Sequence, residues 1–141
     1  MIRSGALTHL VNQFSALATL TGQAVTDTAA GYGPAIDQAL RQLGYSAAGL
    51  AAADVSDADT ADYLALAEYF ALVRFSRALA INVDIEIDGP RAVAKRSQAF
   101  TATKELIAES RKQLQDLGYL GAGFEAGYLT LDFLEPSEAT A

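Results

Sequence analysis

Residues 54–88, DVSDADTADYLALAEYFALVRFSRALAINVDIEID, decide the fold. From Asp57 to Ile81 the run contains no Gly or Pro and is dominated by Ala, Leu, Glu and Arg, all good helix formers. The spacing predicts a helix of about seven turns. Its few polar residues, Asp62, Glu68, Arg74 and Arg77, fall on different sides of a 3.6-residue wheel, and Leu64, Leu66, Phe70, Leu72, Val73, Phe75 and Leu79 take most of the rest. A helix apolar nearly all round is a buried one, so Phe70, Phe75 and Leu79 are expected in the core. Ser56 or Asp57 is the expected cap, and Asp57, Asp59 and Asp62 suit the positive end of the helix dipole. Helix initiation therefore accounts for the acidic cluster without a metal.

At Asn82 the period changes. Val83, Ile85 and Ile87 alternate with Asp84, Glu86 and Asp88 before Gly89-Pro90, which predicts a half-buried strand. A single strand needs a partner, and a pairing between subunits through Val83, Ile85 and Ile87 is the expectation.

The 141 residues suffice for one domain with a real core, and a chain 51% hydrophobic and 19% charged is too apolar to be disordered. A net charge of -7 argues against binding the phosphate backbone as a principal task. The chain has no Cys, which excludes disulfides and thiolate-bound metals. The apolar stretch after Arg3 is broken by His9, Asn12, Gln13, Ser15 and several Thr, so neither a signal-peptide core nor a membrane span is expected.

Leu7, Leu10, Val11, Phe14, Leu17 and Ala18 follow the spacing of one helix face, with Ser4 as the expected cap and Gly22 as the stop. Residues 23–31 lose periodicity and read as a mobile connection. Gly33-Pro34 opens a short helix with Ile36, Leu40 and Leu43 in a stripe, ending at Gly44. The Ala-rich residues 46–53 read as a further turn of helix. Pro90 then starts a long helix in which Val93, Phe100, Ile107 and Leu114 recur every seven residues, supported by Ala99, Leu106 and Leu117 and ending at Gly118. Gln98, Glu105, Glu109, Lys112 and Asp116 form its solvated face, with Arg91 and Lys95.

After Gly121, Gly123 and Gly127, Leu129, Leu131 and Phe133 alternate with Thr130 and Asp132. Residues 128–134 are thus a second strand candidate, marginal alone but suited to adding to a partner's sheet edge. Tyr128, Leu129, Leu131, Phe133 and Leu134 are the expected partner-binding residues. The predicted fold class is mainly α: a small helical bundle around one long central helix, with one or two short β-strands and an extended C-terminal segment. Residues 1–120 form the helical domain and residues 121–141 the docking segment.

Tests for chemistry mostly fail. Asp84, Glu86, Asp88 and Gly89 resemble the start of a calcium loop, but Lys95 stands where the closing bidentate Glu belongs. A Ser-His-Asp set would need His9, the single His, which reads as a surface residue on the polar side of the first helix. Gly31-Tyr32-Gly33 lacks the Gly-Lys-Ser/Thr of a phosphate loop and reads as a turn or hinge. Arg74 and Arg77 on a buried helix call for a structural ion pair, with Glu68 or an acid on another helix. No catalytic, cofactor or metal residue is assigned, and no enzyme is expected.

The helix Pro34-Ala35-Ile36-Asp37-Gln38-Ala39-Leu40-Arg41-Gln42-Leu43-Gly44, the run Leu66-Ala67-Glu68-Tyr69-Phe70-Ala71-Leu72, then Val83-Asp84-Ile85, Lys95-Arg96-Ser97-Gln98-Ala99-Phe100 and Leu117-Gly118-Tyr119 follow an order of features. In that order the chain resembles the head-to-tail adaptor (connector) proteins of tailed bacteriophages. The resemblance implies a virion protein of the neck, assembled in host cytoplasm as a homo-oligomeric ring, commonly dodecameric, beneath the portal protein. It implies an extended DNA channel, a surface for the next neck or tail component, no cofactor, no membrane and no catalysis. The C-terminal segment would meet the portal. The competing class is an intracellular helical regulatory or ligand-binding module.

Overall fold

The computed structural model describes residues 1–83 and 90–119, the side chains of residues 81–83 and 90–95 excepted. Among the described residues five α-helices and a short 3-10 turn make a bundle: α1 (Arg3–Gln13), α2 (Ser15–Thr21), α3 (Gly33–Gln42), the 3-10 turn Ala47–Gly49, α4 (Thr60–Val83) and α5 (Pro90–Asp116). The helix α4 is central, packing against α1, α2, α3 and α5. Tyr63, Leu66, Tyr69, Phe75 and Leu79 of α4 are fully buried, and Ala65, Ala67, Ala71, Leu72 and Val73 fill the remaining arc. Phe70 is only half-buried, set edge-on against Tyr69 with ring centroids 5.4 Å apart.

The start of α4 lies later than its acidic residues suggest. Residues 57–59 form a turn, Ser56 Oγ donates to Asp59 Oδ2 at 3.3 Å, and Thr60 Oγ1 donates back to the Ser56 carbonyl at 2.9 Å. Its end is later too. Asn82 and Val83 continue the helix, so Val83 closes α4 and does not open a strand, because each residue added to a formed helix gains a hydrogen bond at little nucleation cost. The rest of that predicted strand, with Ile85 and Ile87, and the docking residues Tyr128, Leu129, Leu131, Phe133 and Leu134 lie outside the described residues. Among the described residues the sole β feature is an antiparallel bridge between Ile2 and Asp54, flanked by a 2.9 Å bond from the Val55 amide to the Met1 carbonyl.

The first helical stretch is two helices. The chain breaks at Phe14 (φ -120°, ψ 28°), with Ile2, not Ser4, preceding α1. No Gly or Pro marks the break; Phe14 is buried there with its ring 5.7 Å from that of Phe75 in an edge contact. Ala6, Leu10, Phe14 and Ala18 form the innermost row, with Leu7, Val11 and Leu17 half-buried beside it. Both α3 and α5 end as their glycines predict. Gly44 (φ 101°) and Gly118 (φ 88°) take the left-handed conformation, with Tyr45 N–H bonded to Leu40 O at 3.1 Å and Tyr119 N–H to Leu114 O at 3.0 Å. These are Schellman caps, which satisfy carbonyls the helix leaves open.

The connection before α3 is a folded loop, contrary to the mobile one expected. Ala24 and Ala30 meet at 3.3 Å, and Tyr32 N–H reaches Thr26 O at 2.8 Å. Gly31 and Gly33 are required by close approach: a Cβ at Gly31 would stand 2.2 Å from Thr26 O, and one at Gly33 2.7 Å from Thr28 O. They are packing points and not hinges. Gly31→Ala is expected to cost about 1–3 kcal/mol by forcing the loop backbone apart, measurable in a denaturant melt. An unchanged midpoint would mean that the loop relaxes freely.

Long as it is, α5 packs chiefly on α4. Thr103, Ile107 and Leu114 are buried, whereas Leu106 and Leu117 are 43% and 45% exposed and do not support the core as expected. Packed chiefly on α4 among the described residues, the helix buries a narrow arc, and Leu106, one residue from Ile107, falls about 100° away from it.

Candidate functional site

Three polar arrangements stand out. The first is built on Arg3, which no local pattern flags. Its Nε and Nη2 donate to the two oxygens of Asp27 at 2.7 and 2.6 Å, while Nη1 donates to Asp37 Oδ1 at 2.6 Å and to the Leu50 carbonyl at 3.2 Å. The Asp27 bonds push the guanidinium pKa further up against the opposing cost of burial, so this cation is fixed. It joins α1, the loop, α3 and the segment after the 3-10 turn. All three guanidinium nitrogens donate within the protein, four hydrogen bonds in all, so the cluster is structural.

The second is a pair of helix contacts that correct the expected ion pairs. His9 is half-buried, not on a free surface, with Nε2 3.1 Å from Glu68 Oε1. Glu68 is thereby the partner of His9, and Arg74 instead donates to the Ala29 carbonyl at 3.3 Å, holding the loop. Arg77 is exposed.

The third is a cleft along α4 and α5 with a volume near 490 Å³. Ser76 of α4 and Ile107 of α5 lie in its wall, with Lys104, Arg111, Lys112 and Gln115 around them. Residues 104, 107, 111 and 115 recur at helical spacing, so the cations are presented along one side of α5. Glu105 and Glu109 are exposed on α5 but do not line the cleft. Lys112, expected on an ordinary solvated surface, lines this cleft; the signal for it is that residues 71–112 carry eight Lys and Arg against five Asp and Glu.

At the foot of the same helix pair, Tyr119 Oη donates to Asp62 Oδ2 at 2.7 Å. Burial, then this bond, pushes the Tyr119 pKa up to about 12, and burial does the same to Tyr63. A phenol whose folded pKa is raised contributes stability that is whole below the unfolded value near 10 and is lost as pH rises from about 10 to 12. The melting temperature should fall through that window, and Tyr63→Phe should flatten the fall. A parallel fall in the variant would assign it to other groups.

Among the described residues no group of three or more His, Asp or Glu could hold a metal ion, and no helix is long and apolar enough to cross a membrane. The calcium-like residues Asp84, Glu86 and Asp88 lie outside the described residues, as does the side chain of Lys95. The geometry defines a helical bundle with a cleft lined by Lys104, Arg111 and Lys112 on an acidic chain. The chain matches no known protein family, no curated protein and no solved structure.

Proposed function

We propose that the chain is a head-to-tail adaptor of a phage neck, forming a ring under the portal protein and extending the DNA channel. The observation that carries this reading is α5: among the described residues this 27-residue helix packs chiefly on one neighbour, leaving Leu106 exposed on its remaining surface and Leu117 exposed just past its end. A helix so placed at the edge of a bundle offers its outer side to an adjacent subunit, and a repeated head-to-tail contact closes into a ring when its rotation divides a full turn. The acidic net charge of -7 suits a channel through which DNA must slide without sticking. The order of helices from α3 to α5 agrees with the resemblance described above. Residues 128–134 serve as the docking segment, ordering against a neighbouring subunit or the portal.

Mass measurement across a concentration series, alone and with a portal protein, tests the proposal. A closed ring of defined size, alone or on the portal, is expected. Deleting residues 128–141 should abolish the ring or portal binding while the melting temperature moves by less than about 3 °C, roughly 1 kcal/mol for a chain of this size. A strict monomer that ignores the portal would favour the regulatory or ligand-binding module instead.

A further inference from the structure

The cleft between α4 and α5 is cationic on a protein that is otherwise acidic. Lys104 and Lys112 are exposed at its rim and Arg111 is half-buried within it, with Ile107 as an apolar wall between. The chain beyond Tyr119 has the reverse composition: it contains Glu125, Asp132, Glu135 and Glu138, no Lys or Arg, and the apolar residues Leu129, Leu131, Phe133 and Leu134. We propose that the cleft receives the acidic segment 128–138 of a second copy of this chain.

Spacing agrees with this pairing. Lys104 and Lys112 are eight residues apart on a helix, about 12 Å. Asp132 and Glu135 are three residues apart, about 10 Å when extended. Apolar residues lie between the acids as Ile107 and Ala108 lie between the cations. Each copy would then carry both a cleft and its complement, which is a heterologous contact, the kind that builds rings. The choice of a second copy over the same chain rests on the adaptor reading. A nucleic acid fits the cleft less well, because the net charge of -7 repels a continuous phosphate chain, whereas segment 128–138 also brings apolar side chains for the Ile107 wall.

The chain has no Cys, so engineered thiols report proximity cleanly. Full-length Ala108→Cys and Leu131→Cys proteins, mixed under mild oxidation, should cross-link to a heterodimer at least ten times faster than Leu131→Cys mixed with Ala47→Cys, an exposed position on the 3-10 turn. Adding Lys104→Glu and Lys112→Glu to the cleft partner should remove that advantage, and Asp132→Lys with Glu135→Lys in the other partner should restore it. A melting curve of the charge-reversed protein that matches the parent excludes unfolding as the cause.

Equal rates at positions 108 and 47 would overturn the proposal. So would a cross-link indifferent to charge reversal, or one that forms within a doubly substituted chain and not between chains. Suppression by short duplex DNA at constant ionic strength would assign the cleft to nucleic acid. A chain that forms portal-bound rings without this cross-link refutes the cleft assignment alone; a charge-dependent cross-link in a protein that ignores the portal refutes the adaptor reading alone.

Discussion

Phe75→Ala should lower stability by about 3–5 kcal/mol, the range for removing a buried aromatic ring from a core that relaxes only in part. Phe75 has no exposed surface, and it meets Phe14 and Tyr32 edge-on, with ring centroids at 5.7 and 6.0 Å. Those two rings come from the break between α1 and α2 and from the residue preceding α3, so one side chain ties α4 to three helices. Edge-to-face pairs add roughly 0.5–1.5 kcal/mol each beyond area burial, which places the loss toward the upper part of the range. A domain of this size has about 5–15 kcal/mol in total, so the variant should remain folded at low temperature and melt on the order of 10–15 °C lower. Phe75→Leu keeps most of the volume and should lose less than half as much. A shift of only two or three degrees for the alanine variant would mean that the ring is not the keystone of the core.

Where a helix boundary depends on backbone chemistry, it is legible in the sequence. Gly33-Pro34, Gly44, Pro90 and Gly118 mark the ends of α3 and α5 to within a residue or two, because Pro fits the first turn and Gly the left-handed cap. The central place of α4 is legible for a different reason: its apolar residues surround the wheel, and only contact on most sides can cover them. Features set by tertiary contact are not legible. The break at Phe14 answers to Phe75, some sixty residues on, and the exposure of Leu106 and Leu117 follows from α5 having one main neighbour. Gly31 and Gly33 read as hinges by composition, yet the carbonyls of Thr26 and Thr28 leave no room for a Cβ. The cationic cleft was half-visible, as a charge excess without a location; folding α5 against α4 aligns Lys104, Arg111 and Lys112 beside Ser76.

Arg3→Ala should cost about 2–4 kcal/mol, although nothing near Arg3 in the sequence announces it. The available signal was scarcity: between Arg3 and Arg41 the chain carries only two charges, Asp27 and Asp37, and the fold brings both to that one guanidinium. The Arg3 and Asp27 side chains are 15% and 24% exposed, so truncating the cation strands a largely desolvated carboxylate and the Leu50 carbonyl. Asp37 at 37% exposed can rehydrate, which keeps the loss below the 3–5 kcal/mol typical of a fully buried pair. Arg3→Lys retains the charge but cannot fork across both Asp27 oxygens, and should recover no more than about half of the loss. Asp27→Asn combined with Arg3→Ala should be less damaging than the sum of the two, by about 1–3 kcal/mol of coupling. Hydrogen exchange supplies the local readout: the amides of Tyr32 and Gly33, bonded to Thr26 and Thr28, should lose protection ahead of those in α4. Additive losses with the loop amides still protected would show that backbone bonds and the Arg74 contact hold the loop, and that the Arg3 cluster contributes little to the fold.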